Sequence, residues 1–500
     1  MNSGNSTHER YVRYLPWLFT ISFILITFLP RSLDDTMFMD GLAYASIARN
    51  MALGIGSFWQ PFFANSFWLP YDNGPFFFGH PPLQFGLQSI LFRIMGDSIA
   101  VENIYNLIVL IISVFLIVKI WRKLFQETPD RAKYAWLPVL CWYAIVTVYY
   151  SIPNNFLDST MAIFCLLSCY FQLSFFKSKT FDLTKSFIFP VLAGICIVLA
   201  CLTKGPVGLY PLAFSIIYIV VYDHSIAKAG VKVTAIVLGT FAAVFGLVLL
   251  YQPAYVFLKT YFQGQVVQAL LQKREKAGEG LMGHFYLVKE LLRNVYPHLA
   301  MLIGLYFISA SYNIKTSISK ETARTCQLTL LVAGSAILPM LVSIKQYPHY
   351  LLPSLPFVAI FFAALFVEKI HALTLIKMKL AVAGFAIATV CCWTLTVIKL
   401  RNLEHNEMAA NAKEIKHYVA RASTIGICQN LYHDADIHTY LQRYHSLSLT
   451  TKTENAKYVF ADANCLSSFD LTKDKVVPLE HHYFLVIKNQ RARDHHAVYH

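Results

Sequence analysis

Repeated apolar runs, each near the ~20 residues that carry a helix across hydrocarbon, constrain this chain more than any other feature. They fall at about 14–30, 101–121, 134–151, 156–176, 186–203, 206–222, 232–251, 296–312, 326–344, 350–367 and 379–399. A helix satisfies its own backbone hydrogen bonds in lipid. The pattern therefore predicts an all-α polytopic membrane protein with about eleven transmembrane helices. The 500 residues are 56% hydrophobic and 14% charged, too little polar surface for a soluble body of that size. Continuous runs without period-2 alternation argue against a β-barrel. The first run lacks a small-residue cleavage site and runs into "LPRSLDD", so a retained first helix is expected.

Lys and Arg near the run ends set orientation. Arg10 and Arg13 precede the first run. Arg122, Lys123, Arg131 and Lys133 mark the second turn-around on that side. Lys177, Lys179 and Lys185, then Lys228 and Lys232, then Lys315, Lys320 and Arg324, then Lys369, Lys377 and Lys379 follow. This alternation puts the N-terminus in the cytoplasm and loop 31–100 outside. An odd number of spans puts the tail, 401–500, outside as well. Loop 252–295 carries Lys259, Lys273, Arg274, Lys276, Lys289 and Arg293, although alternation places it outside. A basic external loop suggests an anion, either substrate or headgroups. The net charge of +14 is read as basic loops meeting membrane lipids, with no nucleic acid as partner.

Loop 31–100 is long and not simply polar. "DGLAYASIARNMAL" reads as a helix with Asp40, Tyr44, Ile47 and Met51 on one face. "PPLQFGLQSILFRIMG" reads as a second amphipathic helix; both are expected at the membrane interface. The Trp- and Phe-rich stretch between them suits the headgroup zone. The tail alternates helical and strand-like patterns, such as "DIHTYLQRY" and "AKYVFAD", and holds ten of the seventeen histidines. It is expected to form a small soluble α/β domain that ends in a frayed "RARDHHAVYH". The domains are thus 1–400, with the external loop, and 401–500. Of the ten cysteines, Cys428 and Cys465 lie in the tail and would pair only in an oxidising compartment. The others lie in apolar runs as small core residues.

"DGLAYASIARNM" at 40–51, "GHPPL" at 79–83, "LTKGPVGLYP" at 202–211 and "KQYPHYLLPSLP" at 345–356 occur in an order that resembles the GT-C glycosyltransferases that use polyprenyl-phosphate sugars. The bacterial branch it resembles includes the aminoarabinose transferase of lipid A and protein-mannosyltransferase-like proteins. The resemblance spreads over about 350 residues. It implies transfer of a hexosyl or pentosyl group, with inversion, from a polyprenyl-phosphate-sugar donor to a lipid, glycan or protein acceptor. The site would lie at the outer face of the inner (plasma) membrane, and the tail would be periplasmic.

Such a transfer needs a base for the acceptor hydroxyl and cations for the departing phosphate. "DDTMF" at 34–38 and "DGLAY" at 40–44 offer two registers for the family's first acid. Only the second runs on into Tyr44, Ala45, Ile47, Ala48, Arg49 and Met51, so Asp40 is taken as the base; helix capping is its structural alternative. Asp158 in "SIPNNFLDSTMA" is the second acid, for acceptor binding or for holding a cation; Asn155 and Asp158 would otherwise cap a helix. His80, Lys204, Lys345 and Tyr350 are expected donor-phosphate ligands. Lys204 would otherwise be a snorkelling anchor and Tyr350 a belt aromatic. The family's Glu-Lys before the prolines is Gly79-His80 here, which weakens any metal site built on that Glu. A divalent metal would then depend on residues such as His284 in the external basic loop, although a lone interfacial histidine ordinarily just hydrogen-bonds. No other cofactor is implied.

Two other classes fit a polytopic chain, a secondary transporter and a non-catalytic membrane scaffold. A transporter would show internal repeats and mid-span charges. The acids here lie at span ends, and no repeat is visible.

Overall fold

The computed structural model describes residues 3–489 apart from 70–74, 179–185, 223, 276–277, 279 and 315–316. Lys179, Lys185, Lys276, Lys315 and the closing "RARDHHAVYH" lie outside the described residues. The chain divides into two compact units. One comprises 1–32, 78–83 and 103–403, the other 33–77, 84–102 and 404–500.

The first unit is the membrane part. Among the described residues, eight helices are long and apolar enough to cross a bilayer. They are Tyr14–Arg31, Ala100–Leu124, Leu157–Phe176, Ala227–Leu250, Tyr286–Ser311, Lys320–Val342, Leu355–Ile376 and Met378–Arg401, with the shorter apolar Ile188–Lys204 and Pro206–Tyr222 beside them. The eleven expected runs are therefore not all continuous spans. The run at 134–151 is broken into Trp136–Tyr143 and Val146–Ser151, because Ile145 adopts an extended conformation. The run at 206–222 opens as a 3-10 helix, Pro206–Ala213, because Pro206 and Pro211 cannot donate backbone hydrogen bonds. Gln172 compensates within the apolar interior. Its amide donates to the Pro211 carbonyl at 2.9 Å and its oxygen accepts from Ser215 at 2.7 Å. Irregular backbone survives in a membrane protein where side chains re-satisfy it in this way. Helix Ile188–Lys204 runs close to Ala227–Leu250 at Gly194, where a Cβ would meet the Val237 carbonyl at 2.7 Å.

The second unit joins the tail to most of the first external loop. Its sheet has the spatial order Ser448–Thr450, Thr424–Ile427, Tyr458–Asp462, Tyr483–Ile487, Lys475–Pro478; the first three strands run parallel and the last two pair antiparallel. Helix Ala435–His445 makes the crossover between the first parallel pair. Ile415, Ile425, Tyr440, Phe460 and Leu485 form the core, and Leu42 of helix Met39–Ala52 enters it. The expected α/β tail is therefore present. The grouping differs from the division drawn at 400, because residues of the loop complete the tail's core and polar interior.

Arg49 shows why. Its buried guanidinium donates to the carbonyls of Gln442 at 2.9 Å and Arg443 at 3.0 Å, and to Asn50 Oδ1. Those carbonyls lie in the last turn of helix Ala435–His445, where a cation complements the dipole. Burial lowers Arg49 to about 10, so it stays charged at neutral pH. Arg443 in turn bonds Glu102 at 2.8 Å and Asp97 at 2.8 Å. Tyr44 packs against Phe85 and Phe77. Much of "DGLAYASIARNM" is thus architecture.

Cys428 and Cys465 are joined by a disulfide. A bond that closes a loop of 37 residues stabilises by about 3–4 kcal/mol in the chain-entropy account. Cys428→Ser is expected to lower the thermal unfolding temperature of the full-length protein. Alkylation of wild-type protein, followed by mass spectrometry, should leave this pair unlabelled until it is reduced. Labelling without reductant would show the thiols free.

Candidate functional site

The site in the membrane unit is built at helix ends. Helix Leu157–Phe176 opens after Phe156, and Asp158 sits in its first turn. Capping by Asn155, the structural alternative, is not how the helix starts. Phe156 is the N-cap, without a side-chain cap bond, and Asn155 has φ 58°. Helix Ile188–Lys204 ends at Gly205, whose φ is 88°. A Cβ there would meet Tyr261 Oη at 2.2 Å, so only glycine fits. The Tyr261 hydroxyl donates to the Lys204 carbonyl at 3.0 Å and so fixes where the lysine leaves the helix.

Lys204 and Asp158 form a buried ion pair. The Lys204 ammonium also lies 4.5 Å from the centroid of the Tyr350 ring, within cation–π range. The Asp158 Oδ1 is buried with no hydrogen-bond partner among the described residues. A buried carboxylate oxygen in that state is costly unless something binds there. Lys345 pairs with Glu275 at 2.9 Å, and Glu275 faces Arg274 at 3.4 Å. Burial lowers the Lys345 pKa, and Glu275 opposes that shift.

Two histidines complete the cluster. Burial, then Lys204, Lys345 and Arg274, push His80 well below its ordinary pKa. His349 is pushed down by burial, then by Lys204, His80 and Lys345. Both are neutral at physiological pH. Three cations, Lys204, Arg274 and Lys345, stand against two carboxylates, Asp158 and Glu275. Among the described residues, these five groups sum to one positive charge in partly desolvated surroundings. Such a place suits a phosphate anion.

Asp158, His80, Lys204, Lys345 and Tyr350 are therefore gathered in one unit. His284 is attached to the same 341–346 segment, but its Nδ1 hydrogen-bonds the Leu341 carbonyl at 2.7 Å and its own carbonyl accepts from Gln346. Among the described residues, close groups of three or more metal donors comprise Cys428, Asp462 and Cys465, whose sulfurs are already joined. Asp40 belongs to the other unit. It is half-buried in the first turn of helix Met39–Ala52 and is not the N-cap, which is Phe38. Sequence reasoning passed over His349 and Tyr261, and named Arg274 only as one cation of the basic loop 252–295. The signal for His349 was present in "KQYPHYLLP", one residue before the tyrosine that was chosen.

Residues 79–251 match the sequence model of the family described as dolichyl-phosphate-mannose-protein mannosyltransferase. No curated protein is significantly similar to the chain. Among solved structures, the chain is similar to ArnT from Cupriavidus metallidurans bound to undecaprenyl phosphate. The identity is 15% and the TM-score 0.66, over 95% of this chain and 98% of that one. The apo state of the same protein matches with 14% identity and TM-score 0.63, over 94% and 97%. The apo oligosaccharyltransferase of Archaeoglobus fulgidus matches with 12% identity and TM-score 0.50, over 90% and 70%. The chain has the fold of the GT-C glycosyltransferases, and the segment that matches the mannosyltransferase family model holds His80, Asp158 and Lys204.

Proposed function

We propose that the protein is a membrane glycosyltransferase that moves a sugar from a polyprenyl-phosphate-linked donor to a lipid, glycan or protein acceptor. The observation that carries this reading is the cluster of Lys204, Arg274 and Lys345 with Asp158 and Glu275, one positive charge in excess, on a chain of GT-C fold. That charge matches the single negative charge of a phosphodiester donor. In the reaction the bond between sugar C1 and the phosphate oxygen breaks, and its electron pair leaves with the phosphate. The acceptor oxygen bonds C1 from the opposite face, with inversion, and its proton passes to a carboxylate, for which Asp40 is the candidate. Lys204, Lys345 and Arg274 stabilise the charge that develops on the phosphate. Tyr350 backs Lys204, and His80 offers a neutral N–H to phosphate. Asp158 holds Lys204 in place, so it positions a cation.

This reading keeps the N-terminus in the cytoplasm of an inner-membrane protein. The site, loop 31–100 and the tail are then extracytoplasmic, as the basic-loop pattern suggests. The test is mass spectrometry of lipids and surface glycans from strains with and without the gene, joined to assays of purified protein with a panel of polyprenyl-phosphate sugars. A glycan or glycolipid lost with the gene and remade in vitro is expected. Identical profiles together with altered solute uptake would favour a transporter instead.

A further inference from the structure

His349 takes no part in the transfer as described, yet it sits inside the cation cluster. Its Nε2 lies 4.0 Å from Asp158 Oδ2, beyond hydrogen-bond range. The ring is held against Phe156 at 4.6 Å between centroids, and against Tyr347 at 5.5 Å and nearly parallel, while Tyr350 meets it edge-on at 5.0 Å. The side chain is 16% exposed, against 1% for Asp158, so the imidazole is the more accessible of the two. Lys204 and Asp158 face it from the helix ends, His80 from segment 78–83, and Lys345 from its own segment. Glu275 and Arg274 stand behind Lys345.

Charge balance gives this placement a consequence. Among the described residues of the cluster, three cations against two carboxylates leave one positive charge, which a phosphodiester donor neutralises. The product of transfer is a phosphate monoester, whose second ionisation lies near pH ~6. As a dianion it leaves the cluster one negative charge in excess.

The geometry points to His349 as the group that corrects this excess: it takes a proton from solvent when a phosphate monoester dianion occupies the cluster, and stays neutral when the site is empty or holds a phosphodiester. This rests on the phosphate reading given above. The proton comes from bulk water, and no bond other than N–H forms. The imidazolium then has Asp158 as a neighbour as well as the dianion. Burial and nearby cations keep the empty-site imidazole neutral, and the dianion offsets those cations and raises its pKa. Monoester affinity therefore rises as pH falls between the pKa of the empty site and that of the occupied one. The site thus distinguishes product from donor by protonation.

The test is titration calorimetry on purified full-length protein at about pH 7.5, where a monoester is already dianionic. Farnesyl phosphate and its methyl diester are compared in buffers of different ionisation enthalpy. About one proton taken up per bound monoester, and none per diester, is expected. His349→Gln should bind the monoester about tenfold more weakly and without uptake. Wild-type binding without uptake, or uptake kept in His349→Gln, overturns the proposal and leaves the phosphate site standing. Should that variant not fold, His349→Asn is measured in its place against the same criteria, and wild-type binding without uptake still overturns the proposal. Failure of both lipids to bind removes the phosphate reading itself.

Discussion

Lys204→Met is expected to lose at least about a hundredfold in transfer rate and, separately, about 3–5 kcal/mol of stability. The two losses have different origins. The stability loss follows from the ion pair. Asp158 is 1% exposed and Lys204 7%, so removing the cation leaves an uncompensated buried carboxylate. Loss of the ammonium from the Tyr350 ring adds to it. The rate loss follows from the proposed role in stabilising the phosphate. A single variant cannot tell these apart, but a double-mutant cycle does. Asp158→Asn combined with Lys204→Met replaces the pair by neutral groups of similar volume, and such replacements are often close to neutral in stability. The double variant should therefore unfold near the wild-type temperature in detergent and still be inactive. If restored stability also restored turnover, Lys204 would be a structural cation only.

The membrane class was legible because it depends on run length, which a linear chain displays; the GT-C fold was legible only through the family resemblance of the motifs at 40–51, 79–83, 202–211 and 345–356. The breaks in the runs were not. Trp136–Tyr143 and Val146–Ser151 are equally apolar, so nothing in their composition marks the extended Ile145 between them. Asp158 and Lys204 stood out singly, as charges at span ends. Their pairing across 46 positions depends on how two helices pack, which no local pattern encodes. Arg49 carried the opposite lesson. It lay in one of the motifs that carry the family resemblance, yet its bonds run to carbonyls 393 and 394 residues away and hold the second unit together. The tail's strands were visible as alternating segments, whereas their order and mixed direction were not. His349 was missed because a tyrosine beside it fitted the motif, and its importance comes from charges brought in by three other segments.

The acids of the first loop give the other large expected effect. Asp40→Asn should abolish transfer, with a loss of about a hundredfold or more, while Asp34→Asn and Asp35→Asn should keep much of it. The structure gives the two neighbours other work. Asp34 Oδ1 accepts from the Thr36 amide at 3.1 Å and its hydroxyl at 2.7 Å, a turn that asparagine also forms. Asp35 meets Lys413 at 2.6 Å and the Tyr444 hydroxyl at 3.1 Å. Lys413 is 52% exposed, so that ion pair contributes at most about 1 kcal/mol. Asp40 lies in the first turn of its helix, behind the N-cap Phe38. Asn there sacrifices the attraction of the carboxylate to the helix dipole, about 0.3–1 kcal/mol. It keeps the shape but cannot accept a proton as a carboxylate does. Folding should therefore survive in all three variants, and rates measured with saturating donor compare chemistry directly. An inactive Asp34→Asn beside an active Asp40→Asn would move the base to the "DDTMF" register. Activity in all three would mean that no acid of this loop is the base, and the acceptor proton would have to leave by another route.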